Sequence, residues 1–222
     1  MVARRTAVRI ALAVGLTLAA ACGWFRGGSK KPPIAPPQDV EMDPEALEKF
    51  RHEIEEYVEL HRALLERIPN VTPKSTPEEI AAHRRKMTDA IRVERSGEKQ
   101  GAIFKPKVAT AFRSVLHREL TGPEGPAMLH EIRQGNPKVE GTPRSQDPTR
   151  EDTRSVTVAV NLVYPDGVPV SSVPGSLLLH LPELPDQVKY GFVGRTIILR
   201  DTEAEVILDY IPDVVPDASL PR

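Results

Sequence analysis

The sequence of 222 residues has a single cysteine, Cys22, so no disulfide bond can form within the chain. It has no G-x-S-x-G, P-loop or G-x-G-x-x-G motif, so the sequence lacks the signatures of three common classes of enzyme. Two His-Glu pairs, at 52–53 and 130–131, begin like the zinc motif H-E-x-x-H, but neither is followed by the second histidine. The sequence therefore predicts no metal, no cofactor and no catalytic residue.

Long apolar runs are also scarce, and the one present lies at the N-terminus. Residues 10–21 are apolar apart from Gly and Thr, and three arginines without an acid precede them. A membrane-spanning helix needs roughly 20 apolar residues, so this run is too short to be one. A basic start, a short apolar stretch and small residues at its end predict a signal peptide over residues 1–21.

The end of this leader, Ala19-Ala20-Ala21-Cys22, resembles the lipobox of bacterial lipoproteins, although leucine is usual at the position of Ala19. The resemblance covers about one tenth of the chain. It implies that Cys22 is lipidated and attaches the protein to the bacterial cell envelope, at the outer membrane, facing the periplasm or the outside. Ala19-x-Ala21 also fits an ordinary cleavage site, which would leave Cys22 as the first residue of a secreted protein. An unpaired thiol is a liability in an oxidising compartment, and lipidation would consume it. The single cysteine therefore favours lipidation over simple secretion.

After the leader, 22 prolines help to mark the boundaries between segments. Residues 22–42 have paired prolines and no helical period, which predicts a lipid-anchor cysteine followed by a proline-rich tether. Residues 43–134 predict a helical region, with helices over about 44–68, 76–96, 107–120 and 126–134, because apolar residues recur there every three or four positions. Asp43-Pro44 and Thr76-Pro77 have the composition of helix starts.

The remainder changes to an extended pattern. Residues 135–154 are polar apart from one valine and predict a linker, and 213–222 predict a C-terminal tail. Between them, 155–212 predict a β-rich region with a small, mostly antiparallel sheet. Its strand candidates are 156–164, 168–170, 176–181, 195–201 and 205–211, with the last two paired. The fold class predicted is α+β, with a helical hairpin or bundle before the sheet.

Two histidines fall on the apolar stripes of the first two helices. His61 lies one turn after Tyr57, and His83 lies between apolar residues of the second helix. If these helices pack antiparallel, both imidazoles point inward and can meet. One interpretation is a metal or acid–base pair beside an acid such as Glu79, and the other is two structural histidines satisfied by hydrogen bonds.

Charged residues supply two further candidates. Residues 84–118 hold ten basic and three acidic residues, and Arg84, Arg85, Lys86 and Arg92 form the predicted anion-binding patch. Residues 43–59 hold seven acids and two bases, so the two regions can instead neutralise each other. Alternate acids at 201, 203 and 205 suggest an oxygen site for Ca²⁺ or, alternatively, charged edge positions that discourage strand addition.

These features predict a lipid-anchored envelope protein that is a non-enzymatic binding or scaffolding module. Its partners would be membrane lipid through Cys22 and an envelope protein or anionic envelope polymer, not nucleic acid. The alternative is an envelope enzyme whose site lies between the helices and the sheet and uses His61, His83 or His180. A pocket that holds two of these histidines with a carboxylate within hydrogen-bond reach would favour the enzyme.

Overall fold

Helices come first in the structure and the sheet comes last, as predicted. The computed structural model describes residues 42–134, 136–139 and 155–216. The predicted signal peptide, Cys22, almost all of the tether, most of the linker and the end of the tail lie outside these ranges. The four long helices are α1 Pro44–Leu65, α2 Pro77–Glu94, α3 Pro106–Thr121 and α4 Gly125–Arg133.

Local sequence accounts for the starts of α1 and α2. The Asp43 carboxylate accepts hydrogen bonds from the first free backbone amides of α1, and proline occupies the next position, where no donor is needed. At α2, the Thr76 hydroxyl accepts from the Glu79 amide, and the Glu79 carboxylate accepts from the Thr76 amide in return. This capping box satisfies two backbone donors that the helix itself cannot.

The helices share a core that is centred on aromatic rings. Phe50 of α1 and Phe112 of α3 lie 5.0 Å apart between ring centroids, and Phe104, just before α3, lies 4.9 Å from Phe112. Tyr190 of the sheet contacts the same cluster, 6.0 Å from Phe112. Burial of these rings removes a large apolar area from water and joins the helices to the sheet.

The main sheet consists of the last three strands of the described chain, which pair antiparallel in the order in which they follow one another. In chain order the strands are β1 Lys138–Val139, β2 Ser155–Val156, β3 Val188–Val193, β4 Thr196–Asp201 and β5 Ile207–Ile211. β1 and β2 pair in parallel as a separate two-stranded sheet. The predicted pairing of the last two strands is confirmed, with Ile198 opposite Tyr210. The α+β class is therefore confirmed, with the sheet at the C-terminal end.

Both faces of β4 and β5 are covered. Ile197 and Leu199 pack into the core that contains the helices, whereas Ile198 packs with Val156 and Tyr164 on the opposite face. A strand that is buried on both faces has a continuous run of apolar residues rather than an alternating pattern, which explains the T-I-I-L sequence of β4.

The predicted strand 156–164 is wrong over most of its length, because only its first residue belongs to a strand. The chain instead crosses the second face of the sheet irregularly and bonds β5 through the Asn161 amide and the Ile207 carbonyl. Asn161 has a φ of 62°, a left-handed conformation that interrupts an extended strand. Its side chain donates to the Arg95 carbonyl at the end of α2, which holds it there.

The predicted strand 176–181 is also wrong. Residues Gly175–Leu178 form a short helix, α5, followed by a turn in which the His180 amide bonds the Leu177 carbonyl. Leu177 is buried, whereas Leu178 and Leu179 are about half exposed. In a strand, Leu177 and Leu179 would lie on the same face, so this pattern fits a helical turn instead. Residues 168–170 belong to no strand, and β3, which was not predicted, supplies the third strand.

Candidate functional site

The two candidate histidines lie side by side between the helices and the sheet. His61 projects from the buried face of α1 and His83 from that of α2, and they are 2% and 6% exposed. They meet at Glu203, which belongs to the turn between β4 and β5. The His83 Nε2 atom lies 2.5 Å from Glu203 Oε1, and the His61 Nε2 atom lies 3.3 Å from Glu203 Oε2.

Asp201, the last residue of β4, is the second carboxylate of this cluster and is fully buried. Its Oδ1 atom accepts from the Glu203 amide at 2.9 Å and from the Ala204 amide at 2.5 Å, which shapes the turn. Its Oδ2 atom accepts from the Tyr57 hydroxyl at 2.7 Å and lies 3.3 Å from His61 Nε2. Three hydrogen bonds and a neighbouring imidazole compensate the burial of this charge.

Tyr57 stands one turn before His61 on α1 and is a hydrogen-bond donor in this cluster. Burial, and next the adjacent Asp201 carboxylate, raise its pKa well above the usual range of a phenol. It is therefore a neutral phenol that donates to Asp201. The Arg95 guanidinium lies 5.5 Å from the centre of its ring, and burial lowers the pKa of Arg95.

His83 faces a hydrogen-bond acceptor on each side. Its Nδ1 atom lies 2.8 Å from the Pro69 carbonyl oxygen, and its Nε2 atom faces the Glu203 carboxylate. A carbonyl oxygen and an ionised carboxylate only accept, so each contact needs a proton. Either His83 carries protons on both nitrogens or the Glu203 carboxyl carries one.

His61 differs, because its Nε2 atom is buried and forms no hydrogen bond within the described ranges, although two carboxylate oxygens lie 3.3 Å away. These two contacts do not have the geometry of a hydrogen bond. The predicted convergence of the two histidines is thus observed. The acid is Glu203 rather than Glu79, because Glu79 is bonded to the start of α2.

The C-terminal acids do not converge on an oxygen site. Asp209 accepts hydrogen bonds from backbone amides at 101, 103 and 104, and Glu205 pairs with Arg200. Among the described side chains, no three His, Cys, Asp or Glu residues are placed to hold a metal ion.

The four residues of the predicted anion-binding patch are all exposed on α2. Arg84 lies 3.4 Å from the Asp166 carboxylate. Asp89 lies on the exposed face of α2, between Arg85 and Arg92. Opposite charges are therefore interleaved with the basic ones on this surface, which weakens its attraction for anions.

The acidic α1 is instead linked by two ion pairs to the start of α3 and to the residue that precedes it. Lys105 Nζ lies 3.4 Å from Glu53, and Lys107 Nζ lies 3.0 Å from Glu45. The hydrogen bond from Lys49, together with Lys107, lowers the pKa of Glu45 to about 2. These two pairs show partial neutralisation between the acidic and basic regions, at a small energy for each pair.

A groove along α1 was not predicted from the sequence. It has a volume of about 570 Å³, and its rim carries three glutamates and two arginines, including Glu59 and Arg62. Its floor is apolar and consists of Phe50, Ile54, Val58 and Leu184. The second wall comes from residues 183–185, more than 120 positions later in the chain, and periodicity within α1 carries no signal for so distant a neighbour.

No helix in the described part of the chain is both long and apolar enough to cross a membrane. Cys22 and its predicted lipidation lie outside the described residues. Comparison of the chain with known protein families, with curated proteins and with solved structures finds no match in any of the three.

Proposed function

We propose that the chain is a lipid-anchored protein of the bacterial cell envelope and acts as a non-enzymatic binding or scaffolding module. The leader supports export, since a basic start and a short apolar run precede small residues. Lipidation of Cys22 is supported by the lipobox-like AAAC and by the absence of any other cysteine with which this thiol could pair. The proline-rich residues that follow suit a spacer between membrane and folded region.

The observation that favours binding over catalysis is the burial of the two histidines of the histidine–carboxylate cluster. His61 and His83 are almost fully buried, and His83 is bonded on both sides to the protein's own groups. General acid–base chemistry requires a group within hydrogen-bond reach of a substrate. In this arrangement the groups best suited to such chemistry connect α1 and α2 to the β4–β5 turn.

The groove on α1 supplies a contact surface that the cluster does not. Its volume lies within the usual range of roughly 300–1,000 Å³ for ligand sites, and apolar residues line its floor. The rim has three carboxylates against two guanidinium groups, so it does not attract an acidic polymer. The partner that fits is therefore a segment of another envelope protein, with apolar side chains for the floor and charged groups for the rim.

Charge reversal on the rim tests this proposal. We expect Glu59→Arg to reduce capture of a specific envelope protein by about tenfold or more, because a repulsive rim charge opposes docking at about 1.4 kcal/mol or above. The measurement is quantitative crosslinking and pull-down of the full-length protein from its own envelope. Glu131→Arg makes the same charge change on an exposed position of α4 and is expected to leave capture unchanged. Equal capture by both variants would contradict docking in the groove.

An envelope enzyme is the second candidate, and one observation favours it. Two of the three histidines considered, His61 and His83, do meet beside a carboxylate between the helices and the sheet. His180 lies elsewhere, 3.5 Å from Glu119, and does not join them.

Chemical modification separates the two candidates. If the cluster is closed, diethylpyrocarbonate should modify His61 and His83 about tenfold or more slowly than the exposed His52 and His117, since reaction then requires local opening. Mass spectrometry of the digested protein after timed exposure gives the rate at each histidine. Modification of His61 and His83 at the rate of the two exposed histidines would favour an accessible, enzyme-like site.

A further inference from the structure

The charged side chains on the rim of the α1 groove follow a definite order. Along α1 they are Arg51, Glu55, Glu59 and Arg62, so two carboxylates lie between two guanidinium groups. Spacings of three or four residues place all four side chains in one row along the helix. Glu183, on the opposite wall, adds a third carboxylate. The α1 side of the rim is therefore basic at both ends and acidic in the middle.

These five charged groups are available to a partner. All five residues are exposed, and none of their side chains forms an ion pair or hydrogen bond within the described part of the chain. Elsewhere on α1 such contacts do form, since Lys49 Nζ lies 2.8 Å from Glu45 and His52 Nε2 lies 3.4 Å from Glu56. A partner can therefore pair with the rim without first displacing an internal ion pair.

The order of the charges disfavours the same groove of a second copy as the occupant. In a twofold-symmetric dimer, the same surface of each subunit forms the contact. With the two rows in register and parallel, Arg51 would face its own counterpart, and with the rows antiparallel it would face Arg62 while Glu55 faced Glu59. Both arrangements place like charges opposite each other, which opposes association.

The spacing along the row suits an extended segment. At 1.5 Å per residue, successive charged residues of the row are about 4.5–6 Å apart along α1, and the whole row is about 16 Å long. Alternate residues of an extended chain are about 6.6 Å apart, so about seven residues can place every second side chain near one of the four charges. The residues between them point to the other face, where apolar side chains can meet Ile54, Val58 and Leu184.

A helical segment fits the groove less well. A helix as long as the row and about 10 Å in diameter has a volume of roughly 1,300 Å³, which is more than twice the groove volume of about 570 Å³. Most of such a helix would remain outside the groove, whereas an extended segment exposes less of its surface there.

We propose that the α1 groove binds an extended segment of a partner protein whose charges run acid, base, base, acid, with apolar residues between them. This inference rests on the proposed function, because it assigns the chemistry of the segment that docks in the groove. The outer acids pair with Arg51 and Arg62, and the inner bases pair with Glu55 and Glu59, while Glu183 adds to the attraction for bases. Exposed pairs each contribute little energy, so the order of charges gives specificity more than affinity.

Two synthetic peptides of identical composition test this order. ELKLKLE has the proposed order of charges and KLELELK has the reverse, and both are capped at their ends and carry the same fluorescent label. Fluorescence anisotropy with the full-length protein measures the affinity for each. We expect ELKLKLE to bind about tenfold or more tightly than KLELELK at about 0.1 M NaCl. The difference should shrink at about 1 M NaCl, where the screening length falls from about 10 Å to about 3 Å.

A variant with four substitutions reverses the order of the row and keeps its net charge. Its changes are Arg51→Glu, Glu55→Arg, Glu59→Arg and Arg62→Glu. We expect this variant to prefer KLELELK over ELKLKLE. The matched control exchanges the charges of an exposed pair on α2, Arg85→Glu with Asp89→Arg, and should keep the preference of the wild type. Urea unfolding shows whether both variants are folded, and the comparison of the two peptides on the wild type depends on neither variant.

Equal affinity of the wild type for the two peptides, including no measurable binding of either, would overturn this inference. An unchanged preference in the folded four-substitution variant would overturn it as well. If this inference alone fails, Glu59→Arg still reduces capture of the envelope protein. If the proposed function fails, Glu59→Arg leaves capture unchanged, whatever the peptides do.

Discussion

Replacement of Asp209 by alanine is expected to lower the free energy of unfolding by about 4 kcal/mol or more. The carboxylate of this fully buried β5 residue accepts from the Gly101 amide at 2.9 Å, the Ile103 amide at 2.9 Å and the Phe104 amide at 2.7 Å. Alanine would leave these amides without their acceptor, and each unsatisfied buried donor costs about 1–3 kcal/mol. Whole domains are stable by only about 5–15 kcal/mol, so this variant should lie near global unfolding.

Asp209→Asn gives the same test at a smaller magnitude. Asparagine keeps one acceptor oxygen and presents an amide nitrogen to the remaining donors, so at least one backbone hydrogen bond is lost, at about 1–3 kcal/mol. Urea unfolding should therefore order the proteins as wild type, Asn variant and Ala variant, from most to least stable. Asp166→Ala, at a side chain that is 90% exposed, should change stability by no more than about 0.5 kcal/mol. A loss below about 1 kcal/mol in Asp209→Ala would show that this carboxylate does not organise the 101–104 segment.

The helices could be predicted because their signals are local. Apolar spacing, the proline after Asp43 and the Thr76–Glu79 pair all act within one or two turns, and the predicted start of each of the first two helices agrees with the structure. β4 and β5 were also predictable, since short apolar runs flank a polar turn. β3 was missed because V-K-Y-G-F-V contains a lysine and a glycine and has little of the usual strand pattern.

The two wrong strand predictions have a common physical cause. Alternation over 156–164 indicates that one side of the segment is buried, but it does not specify a hydrogen-bonded partner. The structure buries this side against the second face of the sheet while Asn161 turns the backbone out of extended conformation. At 176–181, three consecutive leucines suit a strand or a helical turn equally, and Pro174 with Gly175 starts a helix instead.

The two histidines of the candidate site could be predicted from the sequence, but its two carboxylates could not. The inward direction of His61 and His83 follows from their positions on the helical stripes, and the structure bears this out. Their carboxylate partners did not follow, because Glu203 lies 120 positions after His83 and Asp201 lies 144 positions after Tyr57. Contacts between residues so far apart depend on the packing of the whole chain, and a single sequence does not carry this information in any local pattern.

Cys22→Ser is expected to abolish incorporation of labelled fatty acid and to move the protein from the membrane pellet to the soluble envelope fraction. The reason is that acyl chains on this cysteine would supply the hydrophobic attachment, at about 0.8 kcal/mol for each buried CH₂ group. No second cysteine could take over the modification. Metabolic labelling followed by fractionation of the envelope measures both effects. Retention of the variant in the membrane pellet at the wild-type level would contradict attachment through Cys22.

Ala19→Leu distinguishes lipidation from simple secretion, the two outcomes that the predicted leader allows. This change places leucine three residues before Cys22, as the usual lipobox has it, and removes one of the small residues of the Ala19-x-Ala21 cleavage site. If Cys22 is lipidated, Ala19→Leu should be labelled and retained in the membrane at least as well as the wild type. If the leader is removed at the ordinary site instead, the variant should accumulate with its leader uncut, and the wild-type protein should carry no label. Because the change lies in the leader, it leaves the sequence of the predicted mature protein unaltered, so any difference in fractionation reports on how that leader is processed.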